Sequence, residues 1–170
     1  MSNTLCSVSS AQTNALGAAL GAALQPGDVV LLTGDLGAGK TQFAKGIARA
    51  LGVQEAITSP TFNLMIEHST AKGGLFRHFD LYRLERVEEL DDLDYFGLLE
   101  DAAISAVEWG DRFPQALPLD YLLVAIEIDD DERRTLRFEA QGERSACLFA
   151  GVWDALRVAE EQTASEGQLR

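Results

Sequence analysis

The chain has 170 residues, 46% of them hydrophobic, which suits one domain with a real core. Its net charge of −13 and pI near 4.4 argue against broad contact with nucleic-acid phosphates, which needs clustered Lys and Arg. No apolar run nears the roughly 18 residues that span a bilayer, the N-terminus has neither a basic start nor an apolar stretch, and the two cysteines form no CxxC pair, so a cytoplasmic protein with no membrane contact, disulfide framework or zinc site is expected, its thiols buried or inert.

A first helix is predicted over 9–24, because Ser9 and Gln12 have capping-box spacing and Leu16, Leu20 and Leu24 recur every four residues. Pro26-Gly27 ends it, and Val29-Val30-Leu31-Leu32 reads as a buried parallel strand. After a glycine-rich turn, Phe43, Ile47 and Leu51 give an apolar face to a helix from about Lys40 to Leu51. Ala56 to Thr61 is irregular, and strands are predicted over Phe62–His68 and Leu75–Leu81 around a polar link. Val87, Leu90 and Leu93 predict a surface helix over Glu85–Leu93, and Ile104–Val107 is a further buried strand. Tyr121–Ile128 and Thr135–Ala140 read as an antiparallel pair, and a short helix near Ala150–Val158 precedes a flexible tail from 161 to 170. Early alternation of helix and strand with a late hairpin predicts a single α/β domain over 1–160, with a mixed, mainly parallel sheet flanked by helices.

Gly34-Asp35-Leu36-Gly37-Ala38-Gly39-Lys40-Thr41 matches G-x-x-x-x-G-K-[ST], set between an apolar strand and an amphipathic helix. Glycines let successive backbone N–H groups curl around phosphate oxygens, and the helix start adds the positive end of its dipole. Lys40 is expected to reach the β and γ phosphates and Thr41 to ligate Mg²⁺, with the loop through Gln42 holding the nucleotide. Asp35 is expected to face away from the phosphates.

A P-loop enzyme needs a second carboxylate directed at the metal, usually at the end of a neighbouring strand. Asp80 follows Leu75-Phe76-Arg77-His78-Phe79, and Glu108 follows Ile104-Ser105-Ala106-Val107. Both therefore lie where ligands gather in an open α/β sheet. One is expected to hold the metal shell and the other to orient the attacking water. Trp109 is a large aromatic beside that site, His78 reads as a structural histidine rather than a proton carrier, and His68 as exposed.

Together the phosphate loop, Ser59-Pro60-Thr61-Phe62-Asn63-Leu64, His78-Phe79-Asp80-Leu81-Tyr82-Arg83-Leu84 and Glu108-Trp109 resemble the TsaE family in order and spacing, over roughly residues 10 to 140. The resemblance implies a P-loop fold and a slow, partner-dependent ATPase using ATP and Mg²⁺. It also implies the proteins TsaB and TsaD as partners in forming threonylcarbamoyladenosine at position 37 of tRNA, with tRNA met only through the complex. It implies Thr41 and Glu108 as Mg²⁺ ligands and Asp80 as the acid that supports hydrolysis. Ser59 and Thr61 become a switch segment that senses the γ-phosphate, and Arg133 a nucleotide contact.

Two other classes compete. A small-molecule kinase ordinarily brings an arginine-rich lid, which 14 Lys plus Arg without such a segment do not supply, and a GTPase lacks its Asn-Lys-x-Asp motif here. A nucleotide-gated binding module with negligible turnover carries the same phosphate loop.

Overall fold

The computed structural model describes residues 3–55, 57–60, 62–130 and 133–167, with side chains as far as 162. Seven strands, β1 (Thr4–Ser7), β2 (Val29–Thr33), β3 (Met65–Ser69), β4 (Leu75–Asp80), β5 (Ile104–Glu108), β6 (Tyr121–Ile128) and β7 (Arg134–Gln141), form one sheet in the order β1-β7-β6-β2-β5-β4-β3. β6, β2, β5 and β4 run parallel at its heart, while β1, β7 and β3 join antiparallel. The sheet is thus mixed as expected, with three parallel and three antiparallel pairings.

Helices α1 (Ser10–Gly21), α2 (Lys40–Ala50) and α5 (Glu143–Gly167) accompany the sheet, while α3 (Glu89–Asp92) and α4 (Tyr95–Glu100) are short. Side-chain alternation along the strands divides the core in two. Val30, Leu32, Phe76, Ala106 and Leu122 pack with the buried faces of α1, α2 and α5, and Val29, Leu31, Phe79 and Val107 pack with Leu90 and Tyr95. α1 and α2 touch backbone to backbone: a Cβ on Gly46 would stand 2.0 Å from the Asn14 carbonyl oxygen, so only glycine allows this approach.

Several elements differ from expectation. β1 was not foreseen; four residues are too few for a period to show, and pairing with β7 makes it a strand. The helix expected over Glu85–Leu93 is a single turn, α3, because only Leu90 within it is buried. α4 forms through burial of Tyr95, whose ring meets Phe79 edge-on at 5.5 Å. The short terminal helix is instead the long α5, running into the stretch expected to fray; Leu148, Val152 and Leu156 bury one face of it and Asp120 caps its start. His68, expected to be exposed, is only 6% exposed and stacks on Phe76 at 6.3 Å. Cys6 and Cys147 are unpaired as expected, yet both are exposed. Among the described residues no helix is long and apolar enough to cross a membrane.

Candidate functional site

β2 delivers the phosphate loop to the carboxyl end of the parallel strands. Gly34, Gly37 and Gly39 have φ of 130°, 81° and 115°, the left-handed region that glycine enters without steric cost. Gly34 is doubly constrained, since a Cβ there would sit 2.1 Å from the Ile126 carbonyl oxygen of β6. Gly39 is the N-cap of α2, so that helix starts inside the loop and aims its orphan N–H groups outward. Asp35 and Leu36 are both exposed, Leu36 at 75%.

Lys40 is buried. Its Nζ donates to the carbonyl oxygens of Gly34 at 2.6 Å and Asp35 at 2.8 Å, and lies 3.9 Å from the centre of the Trp109 ring. Among the described residues no carboxylate is within ion-pair distance of it. Burial pulls its pKa below the ordinary lysine value, against the opposing charges of Glu108, Asp80, Asp111 and Asp35. A buried cation is therefore held without a carboxylate partner, able to bind an anion strongly.

The two strand-end acids stand side by side. β4 and β5 pair in register at Asp80 and Glu108, both nearly fully buried. Glu108 accepts from the Thr41 hydroxyl at 2.8 and 3.0 Å and meets His78 Nε2 at 2.8 Å. Asp80 accepts from the Ser59 hydroxyl at 2.9 Å and from the Tyr82 backbone N–H at 3.0 Å. Trp109 follows Glu108 at φ 62°, a conformation uncommon outside glycine, which turns its ring towards Lys40 and to 5.0 Å from Tyr82.

Two cavities flank the loop, sharing Gly37, Gly39 and Gln42. One, about 350 Å³, is lined by Lys40, Thr41, Ser59, Asp80, Glu108 and Trp109 among others, and so gathers the predicted phosphate and metal residues. The other, about 420 Å³, lies against Val8, Ser9, Ser10 and Thr13 before and at the start of α1, with Arg134 at its edge.

Arg133 is the expected nucleotide contact. It sits exposed in the turn, its N–H bonded to Asp130, and Arg134 lines the cavity instead. The two adjacent arginines in a charged turn offered no periodicity to choose between them. Tyr82 was also missed as part of the site, although it belongs to the same motif as Asp80. The α1 contribution left no motif signal, because its cavity-lining residues also serve as cap and core. Thr61 lies outside the described residues. No group of three or more acidic, His or Cys side chains assembles a metal cage among the described residues. A cation here would take the Thr41 hydroxyl and Glu108 carboxylate, hard oxygen donors suited to Mg²⁺, with the remaining ligands from nucleotide and water.

A family model described as threonylcarbamoyl adenosine biosynthesis protein TsaE matches residues 7–136. Curated relatives named tRNA threonylcarbamoyladenosine biosynthesis protein TsaE include one from Bacillus subtilis, 36% identical over 81% of this chain and 85% of its own. One from Streptomyces coelicolor is 41% identical over 81% of this chain and 96% of its own, and one from Mycobacterium tuberculosis is 46% identical over 68% and 73%. The crystal structure of Bacillus subtilis YdiB superposes with a TM-score of 0.75 at 30% identity, covering 89% of this chain and 93% of that one.

Proposed function

The chain belongs to the TsaE family of tRNA threonylcarbamoyladenosine biosynthesis, and from that premise we propose that it is a Mg²⁺-dependent ATPase whose turnover serves a complex with TsaB and TsaD. The observation that carries this reading is the buried, unpaired Lys40 facing two strand-end carboxylates across one cavity.

In this reading the loop from Gly34 to Gln42 wraps the phosphates of ATP, and Lys40 leaves the carbonyls of Gly34 and Asp35 for the β and γ oxygens. The hydroxyl hydrogen of Thr41 is already committed to Glu108, so its oxygen lone pairs remain for a cation while Glu108 supplies the second ligand. Held by Thr41 and Glu108, Mg²⁺ would supply charge neutralisation at the phosphate oxygens. Asp80 orients a water and takes its proton as the water oxygen bonds to the γ-phosphorus and the bridging oxygen departs with ADP. Ser59 donates to Asp80 at 2.9 Å, which supports reading Ser59 and Thr61 as a switch that senses the γ-phosphate. The Trp109 ring covers Lys40, its centre 3.9 Å from Nζ. The second cavity receives the nucleoside, with Arg134 rather than Arg133 towards it.

Slow intrinsic turnover is supported by the open side of the site. Leu36 is 75% and Phe62 82% exposed, large apolar groups beside the phosphate loop and the switch segment that a protein partner would cover. The acidic surface favours meeting tRNA only within the complex, in the cytoplasm. A single domain carries the nucleotide site, with α5 continuing it to Gly167.

Phosphate release from Mg-ATP, measured with and without TsaB and TsaD, tests the proposal. Stimulation by the pair that disappears in Lys40→Ala is the expected result. Tight ATP binding without stimulated release would identify a nucleotide-gated binding module instead.

A further inference from the structure

His78 has no part in the reading above, yet nothing else in the structure accounts for it. It lies on β4 two residues before Asp80, fully buried on the sheet face that meets α2. One ring neighbour is Phe76, stacked at 6.3 Å with 23° between the planes. Among the described residues the ring makes a single hydrogen bond, from Nε2 to Glu108 Oε1 at 2.8 Å. A carboxylate only accepts, so Nε2 carries the hydrogen and donates. Nδ1 then holds a lone pair and, among the described residues, has no partner.

A buried polar ring left half satisfied loses to an apolar side chain of similar size unless its one bond is needed. That bond ends on the Glu108 oxygen that also receives the Thr41 hydroxyl at 2.8 Å. The terminal torsion of a glutamate is broad and loosely held by its own preferences. Two donors from two different elements, β4 and α2, remove that freedom.

We propose that His78 is a positioning residue for the divalent cation, fixing the Glu108 carboxylate so that it and Thr41 present their oxygens already aligned. The proposal rests on the reading that Glu108 and Thr41 hold the cation. His78 is then an outer-shell donor, which orients a ligand and tunes it without touching the metal.

The probe is Mn²⁺, titrated by electron paramagnetic resonance into protein saturated with ADP. His78→Phe keeps a ring of similar volume and removes the donor; His78→Gln keeps an N–H. The expected result is Mn²⁺ binding weakened about 10–100-fold in His78→Phe and restored to within about threefold in His78→Gln. ADP affinity in EDTA should stay at the parent value in both, whereas a merely structural role would lower it together with thermal stability. Mn²⁺ binding within about twofold of the parent in His78→Phe, with Glu108→Ala still weakened by the outer-shell range or more, overturns the proposal alone. If Glu108→Ala binds Mn²⁺ normally, the metal reading itself has failed. Should His78→Phe not fold, ¹⁵N spectra of the parent imidazole decide: an Nε2–H resonance that moves when Mg²⁺ joins the ADP complex supports the proposal. An Nδ1–H tautomer, or no movement, overturns it.

Discussion

β2 has a charged system at each end, and the two are built in opposite ways. Before its amino end, Asp28 is 5% exposed and receives both nitrogens of Arg144, Nε at 2.9 Å and a terminal nitrogen at 2.8 Å. Beyond its carboxyl end, Lys40 is equally buried but donates only to backbone carbonyls, with Glu108 and Asp80 near and not in contact. The pKa directions follow: the hydrogen bonds that Arg144 donates to Asp28 raise its own pKa, while desolvation lowers that of Lys40. A bidentate pair is complete and holds α5 to the start of β2. The lysine is an incomplete arrangement, costly to the free protein and completed by an anionic ligand.

The largest effect that would break this contrast is in Lys40→Met. Nucleotide affinity should fall roughly 100-fold or more, since charge-assisted bonds to phosphate are lost. The ligand-free melting temperature should hold or rise, because an apolar chain of similar length relieves the desolvation. A clear fall in melting temperature would show Lys40 to be structural, like Arg144.

Asp80→Asn should lower phosphate release by about 100-fold, the scale of losing a positioned base, with ATP affinity within about threefold of the parent. Normal turnover would remove Asp80 from the chemistry.

The opposite pattern is expected of Arg144→Met. It leaves Asp28 buried and uncompensated, and since the Arg144 side chain is 44% exposed the cost should be about 2 kcal/mol, below that of a fully buried pair. Calorimetry should read this as a melting temperature roughly 4–8 °C lower, with nucleotide affinity unchanged. Altered affinity would mean that the two ends of β2 communicate.

The smallest effect sharpens the Lys40 half by pH. In the free protein its pKa is below the lysine value of 10.5, because burial disfavours the charged form. Between the lowered pKa and 10.5 the unfolded chain binds more protons, so this part of the stability rises with pH. Phosphates favour the charged form, so ADP affinity should fall over the same window, by at most about tenfold per pH unit. Calorimetric titrations of the parent and Lys40→Met should differ in that slope.

The nucleotide end was the more legible in sequence because its chemistry sits in short contiguous words. The glycines, Lys40 and Thr41 follow one another, and Asp80 and Glu108 each close an apolar run, so local pattern alone put them at one edge of the sheet. What escaped depends on distant partners. β1 exists because Leu5 and Cys6 find Leu136 and Thr135, and α5 because its apolar side covers α1 and the hairpin. The His78–Glu108 bond joins two strands separated in sequence, and the preference for Arg134 over Arg133 arises from where the β6–β7 turn points. No short-range period encodes such things.

The central place of β2 has a kinetic consequence. Its neighbours in the sheet come late in the chain, Val30 pairing with Ser105's neighbour Ala106 on one side and with Leu122 on the other. Closing those pairs means closing loops of many tens of residues before any contact rewards them. On a ribosome, the phosphate loop emerges early but has no frame to hold its curl until β5 and β6 have followed. The nucleotide site is therefore complete only once β5 and β6 have paired with β2.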